Sequence, residues 1–182
     1  SVTDTEGLHE IDNITQYAVN NEIRSVFRRN YEGITRVNYL LENKNKIDFE
    51  GKDNIIAQAY FLRAYYYFEL VKYFGDVPLV VDRRLGADEV TKLTRTPKGE
   101  VYAQIEADLR NAEAVLDWSA AQKGRITKGA CLSLLGKVLL YQDKFTEAAT
   151  ALDLVISQNQ YQLIDDYTEL FSVANEGNSE TV

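Results

Sequence analysis

The residues able to do chemistry are few and scattered. The single histidine, His9, lies in the N-terminal stretch, with no serine or cysteine motif beside it to form a nucleophile–base pair. Asp165 and Asp166 are adjacent carboxylates in a mixed tail, a pattern that suits a turn or a helix cap better than a spaced acid/base pair. The chain has one cysteine, Cys131, which can form no internal disulfide and cannot build a thiolate metal site alone. Its neighbours Ala130, Leu132, Leu134 and Leu135 mark it as a small buried core residue. No glycine-rich phosphate loop and no metal-ligand cluster is present, so neither cofactor nor metal is expected and catalysis has no support. The remaining chemistry is aromatic and polar. Tyrosines, Trp118 and Arg63 have the ring faces and donors that bind sugars. Helical spacing nevertheless assigns most of the rings to a core. Arg63, inside the most apolar stretch, must find a carboxylate or backbone carbonyls. Trp118, at a helix end, is read as sealing a hairpin.

Helices must carry these residues. Ile23, Val26, Phe27, Tyr31, Ile34, Val37, Leu40 and Leu41 recur in three- and four-residue steps, with Asn20 or Asn21 as N-cap. A second helix is expected from about Asp53 to Phe74, apolar around most of its circumference and stopped by Gly75. An extended Leu79-Val80-Val81 and a charged loop over 82–95 follow. Thr96-Pro97 opens a third helix with threonine as cap and proline as first helical residue, running to about Trp118. The fourth and fifth helices, Thr127 to Tyr141 and Lys144 or Phe145 to Ser157, are joined so closely that they must pair antiparallel. Residues 1–19 lack a period and read as loop or extended structure. The tail from Tyr161 reads as irregular, with one short helix over Tyr167 to Phe171. The last hairpin fits a tetratricopeptide (TPR) pattern: Leu132, Leu135-Gly136 and Leu139, then Ala148 and Leu152. Small Gly136 and Ala148 let the paired helices approach closely.

Composition narrows the function classes. The formal net charge is −8 and the pI about 4.8, the wrong sign for a nucleic-acid binder. No apolar run approaches the length of a membrane span. The chain starts at Ser1, and is expected to be a piece of a longer protein.

One stretch is specific. Ala57, Ala59, Phe61-Leu62-Arg63-Ala64-Tyr65-Tyr66-Tyr67-Phe68 and Leu70-Val71-Lys72-Tyr73-Phe74-Gly75-Asp76-Val77-Pro78-Leu79 closely resemble the signature of SusD/RagB-type proteins. Three further matches follow in order: Thr96-Pro97 with Val101-Tyr102, Ile105 and Asp108-Leu109; Gly124-Arg125-Ile126-Thr127-Lys128 before a helix ending in Leu140-Tyr141; and Tyr161, Leu163, Tyr167, Leu170-Phe171 and Asn178-Ser179-Glu180. The resemblance implies an all-α fold of TPR-like stacked helical hairpins, the SusD-like scaffold, over residues 20–160, with an insertion loop at 75–95. Residues 161–182 would lead into a C-terminal half outside this sequence. It also implies a lipid-anchored protein on the extracellular face of the outer membrane, whose lipid-bearing cysteine would lie upstream, Cys131 matching a helix position instead. Such a protein captures oligosaccharides or peptides and delivers them to a TonB-dependent, SusC-like transporter. In that family the segment before the first long helix contributes to ligand capture, which makes His9, Asp12, Asn13 and Tyr17 the ligand-binding candidates. The alternative is a TPR-type adaptor that binds peptide or protein partners in a concave groove. A lipoprotein signal upstream of Ser1 would separate the two.

Overall fold

The computed structural model describes residues 6–17, 19–81, 83–168 and 178–180. Among the described residues, seven helices run in order: α1 (Glu6–Asp12), α2 (Asn21–Asn43), α3 (Lys52–Phe74), α4 (Ala87–Val90), α5 (Lys98–Glu113), α6 (Lys128–Leu140) and α7 (Phe145–Ser157). The only extended pairing among the described residues is an isolated bridge between Val77 and Thr96. The fold is all-α and TPR-like. α3 packs between α2 and α5, and α6 packs between α5 and α7.

The expected amphipathic stripes form the core. Ile34 and Val37 of α2, Val101, Ile105, Leu109 and Ala112 of α5, and Leu132, Leu135, Val138 and Leu139 of α6 are buried. α3 has no single buried face, because Ala57, Ala64, Tyr67, Phe68, Leu70 and Val71 meet neighbours on several sides. A Cβ added at Gly136 would lie 2.6 Å from Leu152 Cγ, so glycine is what lets α6 and α7 approach this closely. Ala148 of α7 is fully buried in the same seam.

Several boundaries differ from the sequence expectations, each for a local reason. Residues 6–12, expected to be loop or extended, form α1. Seven residues are too few to display a helical period, and Leu8 and Ile11 stay exposed. α3 begins at Lys52 after Gly51, whose φ of 82° places the chain reversal just before the helix. The 75–95 insertion carries the single turn α4, stabilised by Glu89, whose carboxylate accepts from the Gly86 amide at 2.9 Å. Glu89 is held down to a pKa of about 2 by Arg83 and by that amide. Pro97 is the N-cap of α5 rather than its first helical residue. Thr96 is occupied elsewhere, donating its N–H to the Val77 carbonyl at 3.0 Å. The capping acceptor comes from 22 residues upstream, where Asp76 Oδ1 accepts from the Lys98 amide at 2.8 Å. α5 ends at Glu113, short of Trp118; the chain turns there, and Asp117 O accepts from the Lys128 amide at 2.8 Å. Trp118 then packs half-buried against the core, as the sealing reading requires.

Beyond α7, Gln162 donates its amide to Ser179 O at 2.9 Å and its carbonyl accepts from Ser179 Oγ at 3.1 Å. Glu180 Oε2 accepts from the Ile164 amide at 3.1 Å, so the tail doubles back on itself. Tyr167 and Thr168 begin a tight turn; the rest of the short helix expected there, including Leu170 and Phe171, lies outside the described residues.

Candidate functional site

The four candidate residues share one exposed segment at the start of the chain. His9 and Asp12 lie on α1. Asn13 follows it and closes its last turn, donating both its amide and its side-chain Nδ2 to His9 O, at 3.1 and 2.9 Å. Tyr17 stands 71% exposed. His9 and Asn13 are thus directly linked. Tyr17 lies in the connection to α2, where its carbonyl accepts from the Asn20 amide at 2.9 Å.

Asn20 positions the whole segment. As N-cap of α2, its Oδ1 accepts from the amides of Glu22 and Ile23 at 2.9 and 3.2 Å. Its Nδ2 reaches the other way, donating to Gly7 O at 2.9 Å and to Glu10 Oε2 at 2.8 Å. One buried amide therefore starts the first scaffold helix and docks α1 against it. Of the two caps the sequence allows, Asn20 and Asn21, the structure uses Asn20; the docking depends on a residue 13 positions away and leaves no local signal.

The two roles separate by substitution. Asn20→Ala is expected to lower stability by about 1 kcal/mol through the lost cap, and also to free α1. Asn20→Asp retains the acceptor but has no donor for Gly7 and sets a carboxylate against Glu10. Its melting temperature should stay near wild type while hydrogen exchange over residues 7–15 accelerates. Unchanged protection of that segment in Asn20→Asp would show that α1 is held by something else.

A second polar cluster lies inside the scaffold. Arg63 of α3 is 4% exposed and meets Asp108 of α5, 1% exposed, through two parallel bonds of 2.8 Å from Nε and Nη2. Its Nη1 donates to Asn38 Oδ1 at 3.0 Å and to the Val81 carbonyl. Gln104 adds a bond to Asp108 Oδ1 at 3.0 Å. Asn38 Nδ2 donates to Val80 O at 2.8 Å, and Tyr31 donates to Pro78 O at 2.7 Å. Tyr67 both donates to Val80 O and accepts from the Val80 amide, at 2.9 and 2.8 Å. Burial pushes the Tyr67 phenol up to about 12, so it stays protonated and able to donate. Helices α2, α3 and α5 together clamp residues 78–81, which fixes where the 75–95 insertion leaves the scaffold. Arg63 behaves as its sequence context demands. The sequence context leaves its partner open; the structure names Asp108, which falls three residues after Ile105 and four before Ala112, on the buried stripe of α5.

The insertion then lies over α2. The Arg84 guanidinium stacks 4.1 Å from the centre of the half-exposed Tyr39 ring and pairs with Glu42 at 3.3 Å. Cys131 donates to Leu109 O at 3.2 Å, and burial pushes its thiol up to about 12, a packed and unreactive group. Among the described residues no group of three or more His, Cys, Asp or Glu is arranged to hold a metal ion. Among them, too, no helix is long and apolar enough to cross a membrane.

Comparison with known proteins agrees with this architecture. Residues 3–140 match the model of a SusD-like family described as starch-binding and associating with the outer membrane. SusD-like protein P2 of Formosa agariphila is 32% identical over 167 residues, covering 89% of this chain and 33% of its own length. A laminarin-binding SusD-like protein superposes with a TM-score of 0.90 at 36% identity, over 98% of this chain and 41% of that one. A SusD-like carbohydrate-binding protein from Bacteroides fragilis gives 0.84 at 28% identity, over 91% and 33%. The chain therefore spans about a third of the length of the curated relatives it matches. With most of its residues inside the family match, and with the signature arginine placed as a clamp at the heart of the shared scaffold, the chain belongs to the SusD-like family.

Proposed function

We propose that this chain is the helical scaffold of an outer-membrane surface protein that captures oligosaccharides and delivers them to a TonB-dependent, SusC-like transporter, without catalysing a reaction. The protein is held at the extracellular face by a lipid anchor outside this sequence. The observation that carries the reading is the family match over residues 3–140, joined to relatives described as laminarin-binding and carbohydrate-binding. Capture of a flexible glycan favours a surface that is already ordered, since ordering it on binding would cost affinity. The clamp on residues 78–81 and the Asn20 dock provide such order.

His9, Asp12, Asn13 and Tyr17 are assigned to ligand capture. Tyr17 provides an exposed ring against which a pyranose CH face stacks, and the other three provide hydrogen-bonding groups to hydroxyls. Calorimetry of the full-length protein against a panel of laminarin and starch oligosaccharides tests this. Tyr17→Ala is expected to weaken binding about tenfold, the loss of one stacked ring. Unchanged affinity after replacing all four residues by alanine would remove the segment from the site. Recovery of a barrel partner in native detergent extracts tests the transporter; repeated extractions that recover none would count against delivery.

A further inference from the structure

A groove lies between the start of α3 and the α5–α6 connection. It has a volume of about 500 Å³, within the ~300–1,000 Å³ range of small-ligand sites. Phe49, Asn54 and Gln58 form one wall, and Asp117, Gln122 and Arg125 the other. We infer that this groove is a second carbohydrate subsite, for a short run of neutral sugar units. The inference rests on the glycan-binding reading above and extends it to residues that have no part in the N-terminal segment.

The chemistry of the walls points to a neutral polyol. Phe49 is half exposed, and its ring is available for a sugar's apolar face. Gln58 is only 9% exposed yet lines the groove. Its Nε2 is engaged, donating to Asn54 Oδ1 at 2.6 Å, while its carbonyl Oε1 accepts no bond from the described residues. That leaves an acceptor open to the groove, beside the Asn54 amide group. Opposite, Arg125 spends only Nε, donating to Gln122 Oε1 at 3.1 Å, which leaves the outer nitrogens of its fork for a pair of neighbouring hydroxyls. Asp117 is held in place by its backbone carbonyl, which accepts from Lys128, and its carboxylate is a further acceptor. Planar amides, a guanidinium fork and a carboxylate around one ring offer the donors and acceptors that adjacent hydroxyls require. Charge argues against an anion, because Glu50 and Asp117 outnumber the single Arg125 at the groove. Ile55 and Ile126 complete the wall with apolar surface.

The test is hydrogen exchange of the full-length protein with and without saturating laminarihexaose or maltoheptaose, alongside calorimetry of variants. Phe49 and Arg125 are exposed, so Phe49→Ala and Arg125→Lys should leave the fold intact. Sugar is expected to protect residues 49–58 and 117–126, and to do so still in Tyr17→Ala. Phe49→Ala combined with Arg125→Lys is expected to weaken this binding about tenfold, one ring contact and one two-pronged hydrogen bond. If sugar binds and protects residues 7–20 alone, with both groove variants unaffected, the subsite is wrong and the glycan-binding function stands. If the wild-type protein binds neither sugar, both readings fall. Protection of the groove by a casein peptide digest but not by either sugar would overturn the subsite in favour of a peptide groove.

Discussion

Arg63→Ala is expected to destabilise the protein by about 3–5 kcal/mol, the cost of leaving a buried charge without its partner. Asp108 would be stranded at 1% exposure, with only Gln104 still donating to it. Asn38 Oδ1 and the Val81 carbonyl would lose a donor at the same time. Urea denaturation followed by Trp118 fluorescence measures the loss. The pair itself need not be strongly stabilising, since desolvating two charges offsets much of their attraction. Arg63→Leu combined with Asp108→Leu should therefore lose clearly less than the sum of the two single changes. A single-variant loss under about 1 kcal/mol, the size of an exposed pair, would show that water reaches the cluster and that it does not clamp the insertion.

Tyr67→Phe is expected to cost about 2 kcal/mol, because it removes a hydroxyl that serves two backbone groups of one residue. The Val80 carbonyl keeps the Asn38 bond, whereas the Val80 amide loses its acceptor. Tyr31→Phe removes one bond, to Pro78 O, and should cost about 1 kcal/mol. Denaturant titration gives the order, and exchange of the Val80 amide should accelerate in Tyr67→Phe more than in Tyr31→Phe. Equal effects would mean that the bidentate tyrosine has no special hold on the strap. The same phenol predicts a pH dependence. Its folded pKa is raised from 10 to about 12, so its stabilising contribution is complete below pH 10 and declines as pH rises toward 12. Tyr67→Phe should lack that component of the alkaline loss.

Both predictions concern one device. The turn after α3 leaves an extended strap, and three helices hold it through side chains rather than through a sheet. A strap without ladder partners needs side-chain bonds for its backbone groups, and Tyr31, Asn38, Arg63 and Tyr67 provide them. This explains why an arginine, an asparagine and two tyrosines occupy otherwise apolar helix faces. It also means that the insertion, with Arg84 stacked on Tyr39, inherits its position from the core.

Local pattern alone specified the five long helices, a cap at Asn20 or Asn21, the stop at Gly75 and the close α6–α7 seam at Gly136. Those features depend on spacing within a few residues, which periodicity and capping chemistry record directly. The requirement that Arg63 be satisfied was equally readable, since an apolar helix face cannot bury a guanidinium alone. What tertiary contact decided was which partner met which: Asp76 capping α5 from 22 residues upstream, Asn20 docking α1 across 13, and the joining of residues 49–58 with 117–126 into one groove. Such bonds form only after the helices have packed. Their energy comes from desolvated groups meeting at long sequence separation, and no local periodicity encodes that meeting.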